Sequence, residues 1–222
     1  VELSQLQLKP GTKTLSEYDS KRLLSAYGIP VVKELLATTS DEAIGAAREI
    51  GFPVVLKAVA PEITHKTELN LVELNLATEA EVRAAGERLL GRVPLGTPLL
   101  VQQMIKGKRE LMLGLSRDPQ FGPCVTFGLG GIFAEVIEDV ALRVAPFDLS
   151  EARALVEETK ALKILGRFRG MEAVDLDFLC KMLVGLGRLG QEQPQVKEVD
   201  INPVIIAGSQ PVAVDALVVL NL

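Results

Sequence analysis

The chain has 222 residues, 48% of them hydrophobic and 24% charged, with a formal net charge of -5. That balance fits one large domain or two small ones and excludes disorder over most of the length. An acidic surplus, with 4% aromatic residues and no Trp, excludes nucleic acid as a partner by either a basic surface or a base-stacking platform.

No apolar run approaches the roughly 18–20 residues of a membrane span. No signal-peptide pattern opens the chain at Val1, so a cytoplasmic location is the expectation, with processing or a longer parent polypeptide left open. Two cysteines and one histidine supply neither a disulfide framework nor a zinc ligand set.

Residues 1–13 show no period and read as an N-terminal extension. Thr14 and Glu17 form a capping-box pattern that predicts a helix to Tyr27, ended by Gly28 and Pro30. A short extended piece precedes Thr39-Ser40, which caps a second predicted helix running to Gly51. Val54, Val55 and Leu56 read as a buried strand, followed at once by Lys57. Val72, Leu74 and Leu76 alternate with polar residues as a half-buried strand does, and a helix follows over 79–90.

From Leu99 strand candidates succeed one another, at 99–104, 110–116, 124–127, 132–137 and 141–144. Helices beginning at Ser150 and Asp175 follow, and then strands at 196–201 and 212–219. The domain expectation is a subdomain over 14–98 and a second over 99–222, of α/β (α+β) class.

Lys57 ends an apolar strand, where an ammonium is costly unless it meets an anion or snorkels outward. His65, the one histidine, lies in a polar loop between two strands. It is either an ordinary surface residue or a phosphoryl acceptor, with Lys66 beside it to attract phosphate. The run Phe127-Gly-Leu-Gly-Gly-Ile-Phe-Ala-Glu135 permits close backbone approach to a ligand, or simply a sharp turn, and matches neither a dinucleotide fingerprint nor a Walker A loop. Asn202 and Asp215 lie on the two terminal strands, and adjacent antiparallel strands would bring them side by side. Carboxylate plus amide oxygen is hard-ligand chemistry suited to Mg2+ on nucleotide phosphates, against a turn and a strand-edge charge as the plainer alternative.

Taken in order, SEYDSKRLLSAYGIPVV, GFPVVLKAVAPEITHK, SRDPQFGPCVTFGLGGIFAEVIEDVALRVAP and EVDINPVIIAG…PVAVDA resemble the ATP-grasp part of the ADP-forming acyl-CoA synthetases. That part is the β subunit of ADP-forming acetyl-CoA synthetase, a relative of the succinyl-CoA synthetase β subunit. The resemblance spans about Leu15 to Val219 and implies an ATP-grasp fold, two α+β subdomains gripping nucleotide. It implies ATP/ADP and Mg2+ as cofactors and a CoA-binding α subunit, or a fused CoA-binding module, as partner.

The resemblance also implies site residues. Lys57 reaches the nucleotide phosphates; Gln102, Gln103 and Met104 lie in the hinge that receives adenine; Glu110 holds ribose hydroxyls. Asn202 and Asp215 are the metal ligands. Gly130, Gly131 and Glu135 face the phosphoryl-transfer site, to which Arg143 adds charge, and His65 is the phosphorylatable histidine of a mobile loop.

One departure stands out. The resembling pattern after His-Lys is Ser-Asp-x-Gly-Gly-Val, whereas this chain has Thr67-Glu68-Leu69-Asn70-Leu71-Val72. A leucine in place of the second glycine is expected to obstruct the approach of backbone to phosphate. The alternative function is a regulatory ATP-grasp domain of the kind fused to protein lysine acetyltransferases, which binds nucleotide without catalysis. The lost glycines favour it, and Lys57, His65, Asn202 and Asp215 disfavour it. An ATP-grasp ligase with an amine nucleophile has no need of His65.

Overall fold

The computed structural model describes residues 3–6, 11–59, 71–131, 139–167 and 170–221. After a 3-10 turn at Leu3–Gln5, the described elements in order are α1 (Glu17–Ala26), β1 (Glu34–Ala37), α2 (Ser40–Ile50), β2 (Val54–Ala58), β3 (Val72–Leu76), α3 (Glu79–Leu90), β4 (Leu99–Gln103), β5 (Glu110–Asp118), β6 (Gly122–Leu129) and β7 (Val140–Val144). Then come α4 (Leu149–Glu157), α5 (Leu162–Leu165), α6 (Leu176–Glu192), β8 (Val196–Ala207), β9 (Gln210–Ala213) and β10 (Leu217–Leu220). Two compact units emerge. The smaller comprises Ser16–Tyr18 and Val32–Ile105, and the larger Val1–Leu15, Asp19–Val31 and Lys106–Leu222.

The smaller unit is a four-stranded antiparallel sheet in the order β1-β4-β2-β3. The caps that start its helices are legible in the sequence. Thr39 accepts from the N–H of Glu42, and Thr78 forms a capping box with Glu81. Ala43, Ile44 and Ala47 of α2 and Val82, Ala85 and Leu89 of α3 recur at helical spacing and cover one face of the sheet. Val54, Leu56 and Ala58 meet them from β2, as do Leu99 and Val101 from β4. Strand alternation therefore sends Val55, Lys57, Leu100 and Gln102 to the opposite face.

The larger unit pairs its strands in the order β10-β8-β5-β6-β7, with β9 also on β8, all antiparallel. Leu179, Met182, Leu183, Leu186 and Leu189 form the buried stripe of α6, whose N-terminus Asp175 caps through the Phe178 N–H. Ala152, Leu155 and Val156 of α4, Leu23 and Leu24 of α1, and Tyr27 just after it complete that core.

Several expectations change. Thr14 does not cap α1; it is extended and bridges Val219, so the helix begins at Glu17. The segment 1–13 is not a detached extension. Leu3 and Leu6 are buried in the larger core, and the Lys13 carbonyl accepts from the Leu220 N–H at 2.7 Å. The boundary is not at Pro98. β4 lies between β1 and β2, so it belongs to the smaller unit, and the division follows Ile105; Asp19–Val31 joins the larger unit because its apolar residues pack there. In β3 the predicted alternation fails at Leu74, which is exposed. Asn75 has φ 59, and the pairing with β2 shifts by one residue beside it. The strand expected at 132–137 lies outside the described residues, and the expected strand 212–219 is two strands, interrupted at Asp215. Among the described residues no helix is long and apolar enough to cross a membrane.

Candidate functional site

In the smaller unit, all five residues of β2 are buried, Lys57 included. Its ammonium meets the Glu17 carboxylate at 2.6 Å, with the two side chains 6% and 1% exposed. The anion that Lys57 called for is thus present within the protein, from the first residue of α1, a residue that sequence reasoning had assigned to capping. Taking away one partner of such a pair costs about 3–5 kcal/mol, because it strands the other charge.

On the same sheet face as Lys57 lies Gln102, fully buried, which pairs with Val55 on one side and Glu34 on the other. Gln103 alternates to the other face, and its N–H donates to the Lys33 carbonyl at 2.9 Å. The Met104 N–H donates to the Pro53 carbonyl at 3.3 Å. The hinge N–H groups of 103 and 104 are therefore held by the protein's own backbone, and Gln102 is the amide that shares a face with Lys57. His65 lies outside the described residues.

In the larger unit, Glu110 opens β5 and pairs with Ile205 of β8. The residue before it, buried Arg109, donates to the carbonyls of Ile164 and Gly208 at 3.2 and 3.0 Å and so pins the start of the strand. The Glu110 carbonyl accepts from the Gly130 N–H at 2.9 Å. A Cβ on Gly131, whose φ is 62, would overlap the Glu110 carboxylate, and one on Gly130 would overlap the Leu111 backbone. Both glycines are required for close approach.

β8 pairs Val204 with Ala213 and Asp200 with Leu217, and continuing that register across the strand break sets Asn202 opposite Asp215. The Val214 N–H donates to the Pro203 carbonyl at 3.1 Å, which carries the pairing through the break. Asp215 is half-buried and its carboxylate accepts from the Ala216 N–H at 2.8 Å. Asn202 turns its side-chain oxygen to the Gly131 N–H at 3.0 Å.

Asp200 joins this group unforeseen by the sequence. Its side chain is exposed at the surface, yet partial desolvation and then the charges of Asp215 and Glu198 push its carboxyl above the usual aspartate range. Carboxylates that repel one another beside an amide oxygen fit a hard divalent cation, which relieves the repulsion. Among the described residues no three His, Cys, Asp or Glu side chains form a complete metal cage. Mg2+ takes one or two protein oxygens and fills its shell with phosphate and water.

Arg143 of β7 donates to Glu151 and Glu158, a strand-to-helix staple that occupies its guanidinium. Glu135 lies outside the described residues.

The sequence pattern of the ATP-grasp domain family matches residues 7–220. The acetate–CoA ligase [ADP-forming] I subunit β of Pyrococcus furiosus is 38% identical over 218 residues, which cover 96% of this chain and 94% of that protein. The acetate–CoA ligase [ADP-forming] I of Archaeoglobus fulgidus is 41% identical over 90% of this chain but only 30% of its own length. Among solved structures, the dinucleotide-forming acetyl-coenzyme A synthetase 1 of Ca. Korarchaeum cryptofilum, in complex with coenzyme A and Ca-AMPCP, superposes with a TM-score of 0.90 at 43% identity over 95% of each chain. The same enzyme with Mg-AMPPCP, its phosphohistidine segment pointing towards the nucleotide-binding site, gives a TM-score of 0.84. The chain belongs to the ATP-grasp domain family, in the branch of the β subunits of ADP-forming acetate–CoA ligases.

Proposed function

We propose that the chain is the nucleotide-binding part of an ADP-forming acyl-CoA synthetase. The reaction is acyl-CoA + ADP + phosphate to carboxylic acid + CoA + ATP, with the phosphoryl group relayed by histidine. The observation that carries this reading is the strand break that sets Asn202 opposite Asp215 beside the repelled carboxyl of Asp200. The relatives named above occur both as a separate subunit and within longer ligases, so a CoA-binding module, separate or fused, is the partner. The regulatory alternative is not favoured, since those relatives are ligases. Its nucleotide and CoA substrates make the cytoplasm the proposed location.

Within the chain, Lys57 offsets the negative charge of nucleotide phosphate, and the Gln102 amide accompanies it on that sheet face. Glu110 accepts hydrogen bonds from ribose hydroxyls, and Gly130 and Gly131 leave room for ligand against the backbone. Asn202 and Asp215 would hold Mg2+, which when bound neutralises charge on the phosphoryl oxygens. His65 takes the phosphoryl group at a ring nitrogen and passes it to ADP, so that one difficult transfer becomes two easier ones. Arg143 contributes through its ion pairs to the fold rather than at the reacting atoms.

Calorimetry of ADP and ATP binding, with and without Mg2+, on the wild type and on Asp215→Ala tests this. Magnesium-dependent binding that the substitution abolishes is expected. Equal binding without Mg2+, or an unaffected Asp215→Ala, would overturn it.

A further inference from the structure

We infer that Lys21 and Ser20 of α1 are positioning residues that fix the strand break at 214–216 and so hold Asp215 opposite Asn202. This rests on the proposed role of that pair as Mg2+ ligands.

Simple strand alternation would put Asp215 in the core. Ala213 of β9 is fully buried, so an unbroken strand would send Asp215 and Leu217 inward with it and bring Ala216 and Val218 out. Instead Ala216, Val218 and Leu220 are the core residues, at 4%, 0% and 3% exposure, and Asp215 is half-buried outside that core. The residues between β9 and β10 therefore shift the in-out phase by one, and a one-residue shift exchanges the two faces of a strand. Backbone groups that leave a ladder need partners elsewhere.

α1 supplies partners at both ends of the break. Lys21, 0% exposed, donates from its ammonium to the Val214 carbonyl at 3.2 Å, one residue before Asp215. Ser20, also 0% exposed, accepts at its hydroxyl from the Val218 N–H at 3.2 Å. Both belong to the larger unit, as do the groups they hold. Nearby core positions of α1 are leucines, Leu23 and Leu24, and an enclosed ammonium is a costly choice among them unless its bonds are needed. Main-chain bonds anchor the flanks, from the Ala213 N–H to the Pro30 carbonyl and from the Leu15 N–H to the Val218 carbonyl. The two side chains fix what lies between. They act on the metal site through the course of the backbone that carries Asp215.

The test is calorimetry of ADP binding, with Mg2+ and with EDTA, on the wild type, Lys21→Met, Ser20→Ala and Asp215→Ala. Leu23→Ala serves as a control that loosens the same helix. The quantity read is the Mg2+ enhancement, the ratio of the two affinities. Lys21→Met is expected to lower it by about tenfold or more and Ser20→Ala by less, each with the Mg2+-free affinity unchanged. Leu23→Ala should lower the melting temperature and keep the enhancement. A wild-type enhancement in Lys21→Met or Ser20→Ala, equal losses with and without Mg2+, or the same loss of enhancement in Leu23→Ala would each overturn the inference and leave the two as packing residues. Should Lys21→Met fail to fold, Ser20→Ala decides by the same ratio: a selective loss supports positioning and a full enhancement refutes it. Failure of the metal reading looks different, because Asp215→Ala would then bind ADP as the wild type does, or the wild type itself would show no enhancement.

Discussion

The side-chain oxygen of Asn202 accepts a hydrogen bond of 3.0 Å from the backbone N–H of Gly131. One residue earlier, the Gly130 N–H donates to the Glu110 carbonyl. Two successive glycines at the end of β6 thus tie the residue proposed for ribose to the residue proposed for metal. An amide oxygen has two lone pairs, so this bond fixes the side chain of Asn202 and leaves it able to accept a cation.

Gly131→Ala tests the tie. At φ 62 an alanine costs about 1–2 kcal/mol, and its Cβ overlaps the Glu110 carboxylate, which must move. A melting temperature lower by several degrees and a weaker ADP affinity are expected together, read by scanning and titration calorimetry. If ADP binds with its wild-type affinity, Glu110 has no part in holding the nucleotide.

Arg143 separates two roles by a different pair of measurements. Its guanidinium is engaged by Glu158 and Glu151, with 23% of the side chain accessible against 51% and 58% for the two carboxylates. Exposed pairs of this kind contribute about 0–1 kcal/mol. Arg143→Gln should therefore lower the melting point slightly and leave Mg-ADP affinity and turnover of the assembled ligase untouched. A variant that keeps its melting point and loses turnover would return Arg143 to the phosphoryl-transfer site.

Much of this was legible because local chemistry dictated it. Thr39 caps α2 as its side chain announced, and the helix expected from Asp175 begins beside it with its stripe of leucines buried. Asn202 and Asp215 could be paired from two strands and their spacing. Glu17 could not be foreseen, because its partner Lys57 is 40 residues away and only tertiary packing joins them. Asp200 was given no role, although the same strand pairing places it beside Asp215; the partial desolvation that raises its carboxyl depends on packing that local pattern does not show. The subdomain boundary was misplaced at Pro98 because a Pro- and Gly-rich turn between α3 and β4 looks like a linker, and strand order is invisible to local pattern.

Acid should unfold the protein along a slope set by carboxylates of both units. Backbone and side-chain hydrogen bonds from Thr38 hold Glu42 below the ordinary glutamate range, and Arg48 does the same for Glu79. In the larger unit Arg143 lowers Glu158, and the Phe178 N–H is foremost in lowering Asp175. A folded value depressed below the unfolded one means stability that is present above the ordinary carboxylate range and is lost as pH falls through the depressed value. Melting temperature measured downward from neutral pH should fall in that window, and Glu42→Gln should flatten part of the fall while lowering the neutral value. An unchanged slope in that variant would show that Thr38 does not stabilise the ionised form.

Leu71 was expected to stand in the way of phosphate, at a position where the resembling pattern has glycine. The structure instead buries its side chain to 4% exposure in the core of the smaller unit, while its carbonyl accepts from the Ala58 N–H at 3.1 Å. The leucine is a packing residue at the entry to β3. Restoring the glycine with Leu71→Gly should cost at least the about 2–5 kcal/mol of a core leucine truncation, seen as a large drop in melting temperature. At a temperature where the variant remains folded, its ADP affinity should equal that of the wild type. Tighter binding in the variant would mean that the side chain does restrict the nucleotide, and that the loss of the glycine has weakened this chain's hold on its substrate.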